Sequence, residues 1–262
     1  MEEMRFAYAA TTYARAEGET AQAGLGQRLD TFFEKQAERA IEKYEQPKPG
    51  NLLDVGCGDG RFIASMLRRR WKAEGIETDP VAAGLARQRT GVMIHDVELD
   101  TAEMIPHAFQ MVSLLHVIEH VPDPRTTLTA AYNALAPGGM LLLALPNAGS
   151  WEASLFGTCW YPLDLPRHYW GFSPHTLTRL VEECGYHIGS LEYFPFLFTL
   201  QSMRYALRSV SGSPAVPPVA GKQKNEVRGL RTRLFQSLLE WSGTVGKGFP
   251  GEIMELVAFK PK

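Results

Sequence analysis

The segment Leu53-Asp54-Val55-Gly56-Cys57-Gly58-Asp59-Gly60 constrains the fold of this chain more than any other stretch. An acidic residue lies within a short apolar run, three glycines follow at alternate positions, and Phe62, Ile63, Met66 and Leu67 then recur at helical spacing. Glycine tolerates backbone conformations closed to other residues and lets a ligand come close to the main chain. The helix start just beyond offers unpaired N–H groups to an anionic group. Strand, glycine-rich turn and helix together form the opening unit of an α/β sheet with a ligand at its edge.

The alternation continues downstream. A strand ending Gly75-Ile76-Glu77 is followed by Asp79-Pro80, an N-cap and first-turn pair opening a helix to about Arg89. Val92 to His95 and Phe109 to Leu115 read as strands, and Asp123-Pro124 opens a helix striped by Leu128, Ala131, Tyr132 and Leu135. Pro137-Gly138-Gly139 is expected to stop that helix before an apolar strand from Met140 to Leu145. Ser173-Pro174 opens a helix with Leu177, Leu180, Val181 and Cys184 on its core face, closed by Gly185. Strands at Tyr186 to Phe194 and Ile253 to Phe259 complete the set. Unbroken apolar strands alternating with helices predict a largely parallel sheet covered on both faces. Upstream, Phe32, Phe33, Ala37, Ala40, Ile41 and Tyr44 predict a helix from about Thr31.

Composition excludes several other classes. Lys and Arg number 27 against 29 Asp and Glu, a formal net charge of -2, so no global positive field favours nucleic acid. Cys57, Cys159 and Cys184 are odd in number and lack CxxC spacing, which argues against a disulfide framework or zinc knuckle and suits a reducing compartment. No metal-ligand spacing is evident. The N-terminus lacks a basic and then apolar leader, and no apolar run reaches the ~18 residues of a membrane span. A cytoplasmic location is the expectation. Arg68-Arg69-Arg70 ends a helix, where cations suit the helix dipole.

The glycine loop differs in spacing from the GxGxxG dinucleotide fingerprint. It resembles the cofactor loop of class I S-adenosylmethionine (SAM)-dependent methyltransferases. Other segments resemble that family in the same order: Glu77 at the end of the next strand, His95-Asp96-Val97 after the third, Glu119-His120-Val121-Pro122-Asp123-Pro124 after the fourth, and Leu135-Ala136-Pro137-Gly138-Gly139 before the fifth. One departure is Gln110, where relatives commonly carry Asp. Pro166-Arg167-His168-Tyr169 with Phe172-Ser173-Pro174 resembles a subgroup of quinone-type and glycan- or natural-product-associated O-methyltransferases.

The resemblance implies a Rossmann-like, doubly wound, seven-stranded sheet, mostly parallel with an antiparallel last strand. Residues 50–262 form this domain, 1–49 a helical N-terminal cover, and about 195–251 a helical insertion before the last strand. It implies SAM as cofactor, held by Asp54, Gly56, Cys57, Gly58 and Gly60, by Glu77 and Thr78 at the ribose, by Asp96 and Val97 at the adenine, and by Leu115 and His116. His168 or His120 is the candidate base for a hydroxyl acceptor, since an unperturbed imidazole titrates near neutrality, and Arg167 could orient an anionic acceptor. The implied reaction is in-line transfer of a methyl group to a small-molecule acceptor, favouring oxygen, of quinone, sugar-derived or lipid-linked type. A basic amphipathic stretch near Arg228, Arg231 and Arg233 makes 194–250 a candidate for peripheral membrane contact, an acceptor cover or a homodimer interface. Two further readings remain at this stage: a non-catalytic SAM-binding scaffold and a nicotinamide-dependent oxidoreductase.

Overall fold

The structure, a computed structural model, describes residues 19–44, 49–101, 106–194, 202, 203, 206 and 251–262, with side chains from Asp30 onward. The expected insertion at 195–251, with its basic stretch and its membrane or dimer roles, lies almost wholly outside the described residues.

In chain order the elements are α1 (Glu19–Lys43), β1 (Asn51–Val55), α2 (Arg61–Arg68), β2 (Lys72–Ile76), α3 (Pro80–Thr90), β3 (Ile94–His95), β4 (Phe109–Leu115), α4 (Pro124–Ala134), β5 (Leu135–Pro146), α5 (Trp151–Phe156), α6 (Pro174–Glu183), β6 (His187–Phe194) and β7 (Ile253–Phe259). The sheet has seven strands in the order β3-β2-β1-β4-β5-β7-β6. Strands β1 to β5 run parallel, and β7 lies antiparallel between β5 and β6. This is the expected doubly wound sheet with its antiparallel last strand. The order reverses at β1, whose neighbours are β2 and β4, so the crevice for a ligand opens at the carboxyl ends of these strands.

The helix starts follow from local chemistry. Asp79 accepts from the Ala82 amide at 2.8 Å, Asp123 from Arg125 and Thr126, and Ser173 forms a capping box with Thr176. Each is followed by proline in the first turn, where a missing N–H costs nothing.

Two boundaries differ from the sequence reading. Helix α1 begins at Glu19, well before Thr31. Strand β5 begins at Leu135, so Pro137-Gly138-Gly139 lies inside a strand, not at a helix stop. The reason is tertiary pairing: Leu135 pairs with Phe109, the Gly138 amide donates to the Lys260 carbonyl at 3.0 Å, and the Lys260 amide donates to Gly139 at 2.9 Å.

One face of the sheet is covered by a cluster including Leu53, Val112, Leu114, Leu128, Leu141, Leu143 and Val181. On the other, α1 brings Ala37, Ala40 and Tyr44 onto Leu52, Phe62, Met66, Trp71, Met111 and Leu142. Helix α1 is thus continuous with the core. It is also latched by charge: buried Glu255 of β7 faces Arg39 at 3.3 Å and Lys43 at 3.1 Å, while Arg68 and Arg69 pair with Glu34. Arg68 lies in the last turn of α2, as the helix-terminal reading expects, and its pairing with α1 is an added role. Gln110 also finds a structural role, because its Oε1 accepts the Asn51 amide at 2.8 Å and so ties the start of β1 to β4. No described helix is long and apolar enough to cross a membrane.

Candidate active site

The glycine loop leaves β1 directly. Gly56, Gly58 and Gly60 have φ of 66°, 56° and 79°, conformations that only glycine adopts cheaply. At Gly56 space is limiting as well: a Cβ there would lie 2.4 Å from Cγ2 of Val117. The loop therefore keeps bare main chain at the carboxyl end of β1, against the exit of β4.

Glu77 lies one residue past β2 and faces this loop. Its Oε2 accepts the Gly58 amide at 2.9 Å and its Oε1 accepts the Asp79 amide at 2.8 Å. Burial raises its pKa despite these two amides. Asp54 is almost fully buried in β1, where Oδ1 accepts the Ser113 hydroxyl at 2.7 Å. Burial pushes its pKa up to about 7, opposed by the Ser113 bond and reinforced by the charge of Glu77. The Cys57 thiol is pushed up by burial and then by Asp54 and Glu77, so it stays protonated and is no nucleophile.

The remaining predicted cofactor residues follow successive strand ends. Thr78 follows Glu77, Asp96 and Val97 follow β3, and Leu115 ends β4 with His116 next. Asp96 is half-exposed and paired with Arg87 at 2.5 Å. His116 has φ of 58° and donates its amide to Ala144 at 2.7 Å, pinning the β4 exit to β5.

Beyond β5 the segment 160–171 folds over a cavity of about 90 Å³ lined by Pro146, Trp160, Leu163, His168, Tyr169 and Trp170, among others. Its supports are specific. Trp160 Nε1 donates to Glu252 at 3.1 Å, Trp170 Nε1 to the Val121 carbonyl at 2.9 Å, and the Tyr169 amide to the Glu119 carbonyl at 2.9 Å. Asn147 Nδ2 donates to Gly251 at 2.9 Å, which anchors the β5 exit to the approach of β7.

The structure brings His120 and His168 together, rings 4.5 Å apart, although they are distant in sequence. His120 Nδ1 is 3.0 Å from the Arg167 carbonyl and His168 Nδ1 is 2.7 Å from the Pro162 carbonyl. Since a carbonyl only accepts, both Nδ1 atoms carry protons, and Nε2 is the basic nitrogen of each neutral ring. Burial lowers the pKa of His168, with the charge of His120 adding to the effect. Arg167 sits otherwise than expected: its guanidinium pairs with Asp164 at 2.5 Å, so it braces the segment and its charge is already matched.

Glu119 was not singled out by sequence, though it is half of the Glu-His pair. It is 1% exposed, and neither carboxylate oxygen has a well-formed hydrogen bond, with His116 Nδ1 lying 3.5 Å from Oε1. Burial raises its pKa, but His116, His120 and His168 outweigh that and the net direction is down. Glu119, His120 and His168 each offer a ligand atom, all within 4.8 Å of one another. Nothing in the sequence announced this grouping, because contacts so distant along the chain leave no spacing pattern.

The donor set fits an adenosyl cofactor. Glu77 already accepts two N–H groups in the manner needed for a pair of ribose hydroxyls, the glycine main chain lies bare beside it, and Asp96 directly follows the neighbouring strand.

A family model described as a methyltransferase domain matches residues 25–191, and the chain belongs to this family. It is a SAM-dependent methyltransferase. The chain is 31% identical over 173 residues to a ubiquinone biosynthesis O-methyltransferase from Cereibacter sphaeroides, covering 60% of this chain and 70% of that one. A protein of the same name from Sodalis glossinidius is 31% identical over 140 residues, covering 50% and 54%. Among solved structures, a SAM-dependent methyltransferase from Archaeoglobus fulgidus superposes with TM-score 0.58 at 16% identity, covering 88% of this chain and 94% of that one. Phosphoethanolamine N-methyltransferase 2 of Haemonchus contortus, solved with SAM, gives TM-score 0.57 at 16% identity over 87% of this chain and 53% of that one. The expectations of a methyltransferase fold and of SAM as cofactor are met, and nothing supports the nicotinamide or scaffold readings.

Proposed function

We propose that the protein methylates a hydroxyl oxygen on an aromatic, quinone-type small molecule. The observation that carries this reading is the cavity beyond β5, where His168 stands among Pro146, Trp160, Leu163, Tyr169 and Trp170. Flat aromatic and apolar walls with one imidazole suit a ring bearing a hydroxyl better than a sugar, which needs many polar partners. The name shared by the curated relatives supports the same choice.

When bound, SAM supplies a methyl group carried on a sulfonium. The chain's own residues do the rest. Glu77 and Thr78 hold the ribose, Asp96 and Val97 the adenine, and the loop from Gly56 to Gly60 the methionine end, with Leu115 and His116 closing the crevice at β4. The aromatic cover excludes water and orients the acceptor ring, which can supply much of the acceleration for an in-line displacement. His168 accepts the hydroxyl proton at Nε2, because its Nδ1 proton is committed to Pro162, and His120 packs against it to hold the ring. Arg167 is a positioning residue that fixes the segment through Asp164. The free thiols of Cys57, Cys159 and Cys184 are in keeping with a reducing, cytoplasmic setting.

The test is methyl transfer from isotopically labelled SAM to a panel containing a prenylated catechol, a sugar and a primary amine, read by mass spectrometry. Label on a catechol oxygen, lost in His168→Ala at saturating SAM, is the expected result. Label confined to the amine or the sugar would overturn the acceptor assignment.

A further inference from the structure

The glycine loop is gripped by a residue of α3, outside the strand and helix that it joins. The peptide unit between Asp59 and Gly60 is held at both ends: its carbonyl accepts from Nε of Arg89 at 2.8 Å, and its N–H donates to the Cys57 carbonyl at 3.0 Å. The same guanidinium donates through Nη2 to Asp59 Oδ2 at 3.0 Å, and Nε of Arg61 donates to that oxygen at 2.9 Å. One arginine in the last turn of α3 thus holds both the backbone and the side chain of the residue that separates Gly58 from Gly60. Gly60 makes this close approach possible. A Cβ there would lie 3.0 Å from Thr90 Cγ2 and 3.1 Å from Ala86 Cα, both on α3. Arg61 also pairs with Asp30 of α1, so two cations face two carboxylates and their charges cancel. What the group supplies to a ligand is therefore geometry.

We propose that Arg89, acting through Asp59, is a positioning residue for SAM that forms the loop at the methionine end of the cofactor before the cofactor arrives. This rests on the cofactor placement proposed above and not on the acceptor. Gly56, Gly58 and Gly60 all stand in left-handed conformations, and glycine loses more conformational freedom on ordering than any other residue. Such a loop, left unheld, would be ordered at the expense of ligand affinity; held in advance, it spares the ligand that cost. Glu77 fixes the Gly58 amide from the ribose side of the crevice, and Arg89 fixes the next carbonyl along the chain from α3. The planar guanidinium can bond a carbonyl and a carboxylate of one residue at once. A lysine ammonium is a point charge on a flexible stem and lacks that fork.

The experiment compares two ligands that differ at the end the loop serves. Full-length wild type, Arg89→Ala, Arg89→Lys and Glu77→Ala are titrated by calorimetry with S-adenosylhomocysteine and with 5′-methylthioadenosine, which has the nucleoside but no amino-acid tail. Arg89→Ala should bind S-adenosylhomocysteine about 10-fold more weakly or worse, the loss of hydrogen bonds between charged groups. Its affinity for 5′-methylthioadenosine should stay at the wild-type value, whereas a general loosening of the fold would weaken both ligands together. Arg89→Lys, which keeps a donor for one of the two contacts, should recover at least part of the loss. Circular dichroism of the free proteins confirms folding, and if Arg89→Ala does not fold, Arg89→Lys against wild type carries the same comparison between ligands. Unchanged affinity for S-adenosylhomocysteine in Arg89→Ala, equal losses for the two ligands, or no recovery by lysine would overturn the role of Arg89. The Glu77→Ala arm separates the two readings: if it loses affinity where Arg89→Ala does not, only the role of Arg89 falls, and if neither does, the cofactor placement falls with it.

Discussion

The Glu77 carboxylate accepts the Gly58 amide at 2.9 Å, joining the end of β2 to the glycine turn after β1 across the mouth of the cofactor crevice. One carboxylate thus organises the loop, and in the proposed cofactor placement it also receives the ribose. Glu77→Ala should weaken binding of S-adenosylhomocysteine by roughly 10- to 150-fold, the loss of hydrogen bonds to a charged group. Asp96→Ala should cost less, because Asp96 is half-exposed and already paired with Arg87. Titration calorimetry of the two variants side by side checks the order.

Gly56 is limited by both conformation and space. Gly56→Ala places a Cβ at φ of 66°, 2.4 Å from Val117 Cγ2. The strain and overpacking together should lower stability by on the order of 3 kcal/mol. Urea unfolding measures it, and cofactor affinity should fall with it because the β4 exit moves.

Asp54 makes stability depend on pH with a definite sign. Its folded pKa of about 7 lies above the ordinary aspartate value, so the native state holds the proton more tightly than the unfolded chain. The resulting stabilisation is complete below about pH 4 and is lost as pH rises through 7. Asp54→Asn, which keeps an acceptor for Ser113, should therefore gain stability relative to wild type as pH rises from 5 to 8 in the absence of cofactor. Melting temperatures at those two pH values provide the check; a difference that does not grow with pH contradicts the assignment.

Glu255 tests whether α1 belongs to the core. Its buried carboxylate faces Arg39 and Lys43 of α1, and Gln36 Nε2 at 3.4 Å. Glu255→Leu leaves those cations facing an apolar group and should cost about 2 kcal/mol, with part of the loss absent when Lys43 is already alanine and the rest left with Arg39. A double-mutant cycle by chemical unfolding reads the coupling.

Local chemistry was legible in the sequence and distant contact was not. The caps Asp79, Asp123 and Ser173 act within three residues of themselves, so each helix start could be read from the chain alone. The ends of β1 to β4 followed from apolar runs, and with them the row of cofactor residues. The early start of β5 escaped because Gly138 and Gly139 are drawn into the sheet by Lys260, from the far end of the chain. His120 and His168 were visible as residues, but their meeting, and the buried charge of Glu119 beneath them, arises only when segment 160–171 closes over the β4 exit. The pairing of Arg167 is the exception, a local contact that the sequence did not announce: its partner Asp164 lies three residues away on a turn with φ of 33°, which leaves no periodicity.

The most direct test of the account is calorimetry of full-length protein with S-adenosylhomocysteine and, separately, with NADH. One equivalent of S-adenosylhomocysteine should bind to the wild type, with affinity sharply reduced in Glu77→Ala and no heat from NADH. Binding of S-adenosylhomocysteine indifferent to Glu77, or binding of NADH in its place, would contradict the cofactor site at the carboxyl ends of β1 and β2.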